Sequence, residues 1–260
     1  MAEERKLPSL TELSATTHAD LKMNPQGALK VAANQHIINL KVSEVGMAIS
    51  SFPIFISRIS ENADWTISAI NSFELGSNLF VENDAWIGTH LPIGMQTYPF
   101  FLMRSPTDEK NFTIGIDEKS SVFSKQEGEA LFENGKASMR LSQATAQLEL
   151  EVKHDVHTYK FTKKAEELGL IRPMDLQVQY HNGRVNTLKG LNTIDEVALQ
   201  ELDIEKFDEL RKESYLLPLY SMLTSIYQFN NLIKLHNLKY PDNTIAQVKL
   251  EVPKDDATDL

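Results

Sequence analysis

One long series of apolar residues, spaced three and four apart, limits what this chain can fold into more than any other feature. Such spacing places the apolar side chains on one face of an α-helix. Gly169 is typical of the residue that follows a helix, and Pro173 cannot continue one. We therefore predict a long amphipathic helix over residues 138–168, with an apolar face made by Leu141, Ala144, Leu148, Val152, Val156 and Tyr159.

The residues before this helix have the patterns of short strands. The segments "FPIFISRI" (52–59) and "WTISAINSF" (65–73) are rich in β-branched and aromatic residues and are separated by the turn sequence "ENAD" (61–64). This arrangement predicts a hairpin. We interpret 28–49, 75–104 and 112–117 as further extended segments.

The residues after the helix predict one more hairpin and several helices. The alternating segment 174–194 contains Asn182-Gly183, a strong signal for a two-residue hairpin turn. Helices are predicted in 195–202, 203–214 and 215–239, with Asp195 and Asp203 as N-caps. The predicted fold is α+β, with an antiparallel, strand-rich N-terminal half packed against the long helix, the hairpin and the C-terminal helices.

The same patterns predict the domain organisation. Residues 1–25 are expected to form a partly ordered arm, 26–240 a single domain that is strand-rich to about 137, and 241–260 an acidic tail. We see no internal repeat.

Composition and charge exclude several classes of function. The net charge of −10 gives no long-range attraction to nucleic acid, which is not an expected partner. The absence of cysteine excludes disulfides and thiolate chemistry. No apolar run approaches the roughly 20 residues that a membrane-spanning helix needs. The start "MAEERKLPSLTEL" lacks the apolar run of a secretory signal, so we expect a soluble, cytoplasmic protein.

The order of several segments resembles the SapC family of bacterial proteins. The resemblance covers residues 17–235 and is carried by "SFPIFIS" (51–57), "GSNLFVENDAW" (76–86), "LPIGMQTYPFFL" (91–102), "GEALFENGKAS" (128–138) and "YLLPLYSMLTSIYQFNNL" (215–232). Gln96 and Thr97 stand where the family often has an arginine pair, Met222 where it has a histidine, and Asn39 where it has a proline. The resemblance implies a link to bacterial surface layers or to outer-membrane uptake systems, and defines no reaction.

Aromatic residues in the strand-rich half are candidates for a ligand site. Ring faces supply contact area for a sugar or a peptide, and a few polar groups set the orientation. The bland interpretation, which we favour, is that these rings form the core between the sheet and the long helix. The prolines of "LPIGMQTYPFFLM" (91–103) indicate a buried edge strand with one face open to a ligand. The predicted ligand-binding residues are Trp65, Trp86, His90, Tyr98 and Phe101.

A metal site is the alternative interpretation. The spacing His18-x-Asp20 is that of the pair which, with a distant histidine, binds Fe(II) in 2-oxoglutarate oxygenases. His90 or His181 would be the third ligand. A solvated arm explains the same residues without metal, so no cofactor is predicted and Fe(II) is kept as the alternative.

The last helical segment has a further apolar stripe, in the range 215–235, that packs in the fold or forms a homodimer face. Its members are Leu216, Leu219, Leu223, Ile226, Phe229 and Ile233. The leading hypothesis is a non-catalytic binding or accessory protein. The alternatives are a metal-dependent modifying enzyme, such as an Fe(II) oxygenase, and a self-associating structural subunit.

Overall fold

The structure is a computed structural model that describes residues 9–24, 26–106 and 111–253. In chain order its strands are β1 (Thr11–Glu12), β2 (Lys22–Met23), β3 (Ile37–Leu40), β4 (Ile54–Ser57), β5 (Thr66–Ile70), β6 (Val81–Glu82), β7 (Ala85–Trp86), β8 (Phe100–Arg104), β9 (Phe112–Ile116), β10 (Phe123–Ser124), β11 (Glu129–Ala130), β12 (Phe132–Glu133), β13 (Lys136–Ala137), β14 (Ile171–Tyr180), β15 (Val185–Ile194) and β16 (Ile245–Glu251).

The helices lie mostly in the second half of the chain, and the longest has 29 residues. They are α1 (Gly27–Ala32), α2 (Val45–Ala48), α3 (Ile93–Thr97), α4 (Met139–Glu167), α5 (Glu196–Gln200), α6 (Ile204–Lys212), α7 (Leu216–Ser225) and α8 (Phe229–Lys239), with 3₁₀ turns at Val42–Glu44, Ile226–Gln228 and Pro241–Asn243.

The chain divides into two compact units. Unit 1 contains residues up to 32 together with 93–153, and unit 2 contains 33–92 together with 154–260. The long helix α4 therefore contributes its first half to unit 1 and its second half to unit 2.

Unit 1 is built from short antiparallel strands and the start of α4. Strands β1, β9 and β8 form one sheet, in that order, and β2 pairs with both β10 and β11. The apolar core of this unit is formed by Leu21, Met23, Phe100, Ile116, Val122, Leu131, Leu141 and Leu148.

Unit 2 contains a six-stranded antiparallel sheet in the order β16-β14-β15-β4-β5-β3. Strands from the beginning and the end of the chain thus share one sheet. Helices α7 and α8 contact this sheet, α7 at β4 and β15 and α8 at β16. The core contains fully buried Phe52, Phe55, Leu219 and Leu232.

The predicted α+β class is confirmed, and so are several predicted elements. Helix α4 ends within one residue of the predicted bounds at each end. Strands β14 and β15 form the predicted hairpin, and Gly183 has a positive φ of 85° in its turn, which a residue without Cβ adopts most easily. Asp195 accepts hydrogen bonds from the backbone N–H groups of Val197 and Ala198, as an N-cap does.

Two predicted extended segments are wrong in part. Residues 28–49 hold helices α1 and α2 and a 3₁₀ turn, with only β3 extended, because the apolar–polar alternation persists for just a few residues there. The stretch 91–103 begins with helix α3 and becomes strand β8 only after Pro99. Pro92 directly precedes α3, and a proline at a helix start leaves no hydrogen bond unmade.

The apolar face of α4 also differs from its predicted course. Leu141 and Leu148 are buried, but Val156 and Tyr159 are 51% and 48% exposed. The second half of the helix buries Phe161 and Ala165 instead. Spacing alone cannot show such a change, because it depends on which neighbours each half packs against.

Both predicted terminal segments contain strands. In the predicted arm, β1 pairs with β9 and β2 pairs with β10. In the predicted tail, the seven-residue strand β16 forms six residue pairs with β14, and its alternating pattern in "IAQVKLE" is that of a strand. Residues 254–260 lie outside the described residues, and the domain bounds themselves stay a prediction. Within the described ranges, no helix is long and apolar enough to cross a membrane.

Candidate functional site

The predicted ligand-binding residues belong to both units. Trp65, Trp86 and His90 lie in unit 2, and Tyr98 and Phe101 lie in unit 1. The rings of Tyr98 and Phe101 meet edge to face, with centroids 5.9 Å apart. These two residues are therefore the natural starting point for a site within one unit.

A cavity of about 230 Å³ opens beside Tyr98 in unit 1. Drug-sized ligands usually occupy pockets of roughly 300–1,000 Å³, so this cavity suits one small ring or side chain. Its lining consists of an aromatic wall, one arginine, one alanine and three glutamines. We call it the Tyr98 cavity, and its residues are Gln96, Tyr98, Phe100, Arg140, Gln143, Ala144 and Gln147.

Three elements position these residues. Helix α3 ends just after Gln96, and Tyr98 and Phe100 lead into strand β8. The remaining members stand at positions 140, 143, 144 and 147 of α4, and side chains three and four residues apart lie on one face of a helix. One helical face thus supplies the polar wall and the start of one strand supplies the aromatic wall.

Contacts inside unit 1 hold both walls in place. Phe100 is 3% exposed and packs against Phe123, with ring centroids 6.2 Å apart. The Tyr98 hydroxyl lies 3.3 Å from the Ser120 hydroxyl. Buried Thr97 donates a 2.6 Å hydrogen bond from its hydroxyl to a carboxylate oxygen of Glu151, which ties α3 to α4 one turn beyond Gln147.

The polar residues of the lining are suited to binding a ligand through hydrogen bonds. Glutamine side chains both donate and accept hydrogen bonds, and the arginine fork donates up to five. The lining contains no histidine, carboxylate, serine or thiol that would act as a general base or a nucleophile near neutral pH. This arrangement can hold a polar ligand against an aromatic surface.

The two tryptophans are engaged within unit 2. The Arg58 guanidinium lies 4.2 Å from the centroid of Trp65, whose indole N–H donates to a Glu166 carboxylate oxygen at 2.8 Å. That hydrogen bond, with Lys163, holds the pKa of Glu166 below its ordinary value. The indole N–H of Trp86 donates to the backbone carbonyl of His90 at 2.9 Å, and the ring packs against the core phenylalanines Phe52 and Phe80.

The histidines of the predicted metal site have carboxylate partners elsewhere. His18 Nε2 lies 2.6 Å from Glu118 Oε1, and His18 Nδ1 accepts a 3.0 Å hydrogen bond from a backbone N–H. His90 Nε2 lies 2.7 Å from an oxygen of fully buried Glu44. Asp20 is exposed. Among the described residues, no three His, Asp or Glu side chains come together in a geometry that could hold a metal ion.

Other cavities are less suited to a specific small ligand. The groove of about 680 Å³ beside Tyr159 in unit 2 is lined by lysines and glutamates, several of which pair with one another, such as Lys164 with Glu209 at 3.4 Å. Exposed pairs of this kind are a common feature of solvated helix surfaces. A cavity of about 330 Å³ in unit 1, beside Phe112, is mostly apolar and offers few orienting groups.

Sequence reasoning missed the helical wall of the Tyr98 cavity. Arg140, Gln143 and Gln147 are ordinary polar residues on the helix, beside its apolar face. The one available signal was their spacing of three and four, which predicts a shared face but does not predict what that face meets.

Comparison with known proteins identifies one family. The family model described as SapC matches residues 13–232, which is most of the chain. No curated protein and no solved structure gives a significant match.

Proposed function

We propose that this chain, which belongs to the SapC family, is a non-catalytic binding protein that holds a sugar in the Tyr98 cavity. The observation that carries the proposal is the composition of that cavity, where three glutamines and an arginine face an aromatic wall. Family membership supports the wider role of an accessory protein in bacterial surface-layer or outer-membrane uptake systems. A cytoplasmic location is part of the same proposal.

The lining favours a sugar over a peptide. A sugar ring presents apolar C–H groups on its faces and hydroxyls around its edge, and these match the ring of Tyr98 and the amides of Gln143 and Gln147. A peptide would need a row of free backbone partners along an open strand. Strand β8 lies at the edge of its sheet, in the order β1-β9-β8, so a peptide remains the alternative ligand, and the preference for a sugar rests on the aromatic and amide groups of the cavity.

Titration with sugars, followed by NMR, tests the proposal. The probes are glucose, galactose, N-acetylglucosamine, glucuronate and galacturonate, with a dialanine peptide as the alternative ligand. We expect at least one sugar to shift the backbone amide signals of residues 96–100 and 140–147. Shifts caused by the peptide alone would replace the sugar with a peptide, and the absence of shifts at these residues would refute the site.

Glutamine variants test the recognition groups. A hydrogen bond contributes about 0.5–1.5 kcal/mol net, so Gln143→Ala or Gln147→Ala should weaken sugar binding roughly two- to tenfold. Gln126→Ala is the matched control, because Gln126 is exposed in the same unit and does not line the cavity. Equal weakening in all three variants would mean that the effect is not local.

Self-association is a second candidate function, favoured by an uncharged stripe on unit 2 that differs from the predicted one, whose Leu219 and Phe229 are buried in the core. Leu217 and Tyr227 are 69% and 71% exposed, and Tyr220 lies between them on the same face of α7 and the turn that follows. Residues 215–233 contain no charged side chain, although 24% of the chain is charged. A surface without charge can meet a second copy of itself in a symmetric dimer without burying an unpaired ion.

Sedimentation equilibrium tests the dimer. We expect association that is lost in Leu217→Lys and retained in Ile204→Lys, a matched change at an 84% exposed site in the same unit. A monomer at all concentrations up to several hundred micromolar would refute the self-association.

A further inference from the structure

The charge of the Tyr98 cavity is opposite to that of the chain. The chain has a net charge of −10, yet the lining of this cavity contains one cation, Arg140, and no carboxylate. The Glu129 carboxylate, 3.7 Å from Arg140 but outside the lining, offsets part of this charge, and the remaining attraction acts on an anion close to the guanidinium. The lining therefore carries information about the ligand beyond its hydrogen-bonding groups.

The guanidinium of Arg140 forms an exposed ion pair with Glu129 and still has N–H groups to offer a ligand. Its Nε lies 3.7 Å from the Glu129 carboxylate, a distance too long for a hydrogen bond, and within the described residues the guanidinium donates no hydrogen bond. The side chain is 43% exposed, so a ligand reaches it without a large cost of removing water. An arginine fork binds a carboxylate through two parallel hydrogen bonds, which a neutral hydroxyl cannot reproduce.

The spacing of the polar wall suits a ring that bears one acidic group. From Arg140 to Gln147 the helix rises by about 10 Å, at 1.5 Å per residue. One sugar ring with an attached carboxylate extends over a large part of that length. Arg140 would then take the carboxylate while Gln143 and Gln147 take ring hydroxyls.

We infer that the ligand of the Tyr98 cavity is an acidic sugar of the uronate class, with Arg140 as the residue that selects its carboxylate. The inference rests on the proposed sugar-binding function. It goes beyond that function by stating that the sugar carries a negative charge and that Arg140 is the side chain which selects it.

Matched pairs of sugars test the inference. Glucuronate and galacturonate differ from glucose and galactose by replacement of the CH₂OH group with a carboxylate. We expect each uronate to bind roughly two- to fivefold more tightly than its neutral partner, a modest factor because Arg140 is partly exposed to solvent and already pairs with Glu129. The preference should fall as the salt concentration rises, because salt screens exposed charges.

Two variants of Arg140 separate charge from geometry. Arg140→Gln should bring uronate binding down to the level of the neutral sugar, and should weaken the binding of uronates far more than that of glucose and galactose. Arg140→Lys keeps the charge and loses the fork, and should retain only part of the preference. Arg211→Gln is the control, because it makes the same change in net charge at a 62% exposed site in unit 2.

The outcomes distinguish this inference from the function on which it rests. Equal binding of uronates and neutral sugars at the cavity would overturn the inference and leave sugar binding intact. No binding of either would refute both. Acetate tests the bare charge: if acetate shifts the amides of the cavity as strongly as glucuronate does, the site selects an anion and not an acidic sugar.

Discussion

Protonation of one buried histidine should make the fold sensitive to acid. His236 is fully buried in unit 2. Its Nε2 donates a 3.0 Å hydrogen bond to the backbone carbonyl of Asn243, and in the described part of the chain its Nδ1 has no partner. The rings of Tyr240 and Phe73 pack against it, with centroids 4.9 and 5.9 Å away. A second proton on Nδ1 would be a buried charge with no acceptor.

Burial holds the pKa of His236 below its ordinary value of 6.5, against smaller opposite effects of the Asn243 hydrogen bond and the Glu74 charge. The unfolded chain therefore binds more protons than the folded chain once the pH falls below about 6.5, and the free energy of unfolding decreases in that range. One group can change this free energy by at most about 1.4 kcal/mol per pH unit. If His236 stays neutral in the folded state, the loss between pH 7.5 and 5.5 is about 1.4 kcal/mol.

Urea unfolding at pH 7.5 and 5.5 measures this loss, and one variant isolates the histidine. His236→Gln keeps an N–H near the Nε2 position that can donate to Asn243, but it does not titrate. We expect this variant to be less stable at pH 7.5 and to lose about 1.4 kcal/mol less than the wild type on acidification. His181→Gln is the control, because His181 is exposed. If wild type and His236→Gln lose equal stability, the reasoning is wrong.

Three further predictions concern a helix cap, the core and metal content. Asp195→Ala should lower the free energy of unfolding by about 1 kcal/mol in urea titrations, because two N–H groups at the start of α5 lose their acceptor, whereas Asp195→Asn should cost little. Leu232→Ala, at a fully buried site on α8, should lower the free energy of unfolding by about 2–5 kcal/mol, measured by thermal and urea unfolding. Leu238→Ala, at a 71% exposed site on the same helix, should lower it by less than about 0.5 kcal/mol. Untagged protein should contain far less than one iron per chain by mass spectrometry, and His18→Ala should have the same iron content. A content of one iron per chain that is lost in this variant would contradict the geometry of the described residues.

The elements that could be predicted are those set by nearby residues. Helix α4 follows from apolar spacing and from Gly169 at its end. The β14–β15 hairpin follows from alternation on both sides of Asn182-Gly183, and the start of α5 follows from Asp195. In each case the energy that decides the structure comes from contacts within a few residues, or from a backbone geometry that one residue type prefers.

The wrong predictions concern elements whose structure depends on residues that are distant in the sequence. Strand β16 lies in the predicted acidic tail; three of its seven residues are polar, and it is a strand because β14 offers it an edge with which to pair. The sequence predicts an extended segment where α3 lies, because "PIGMQT" is too short to show a helical period. Val156 and Tyr159 fit the apolar face of α4 by spacing, yet they are half exposed, since burial depends on a neighbour that spacing does not reveal.

By itself, the sequence of this protein determined its α+β class, its longest helix, its tightest hairpin and its resemblance to the SapC family. Only the tertiary structure decided the order of the six-stranded sheet and brought Arg140, Gln143 and Gln147 beside Tyr98. The reason is physical. Local elements form through interactions between neighbours in the chain, whereas a cavity arises between side chains some forty residues apart, and these meet only when helix and strand pack together.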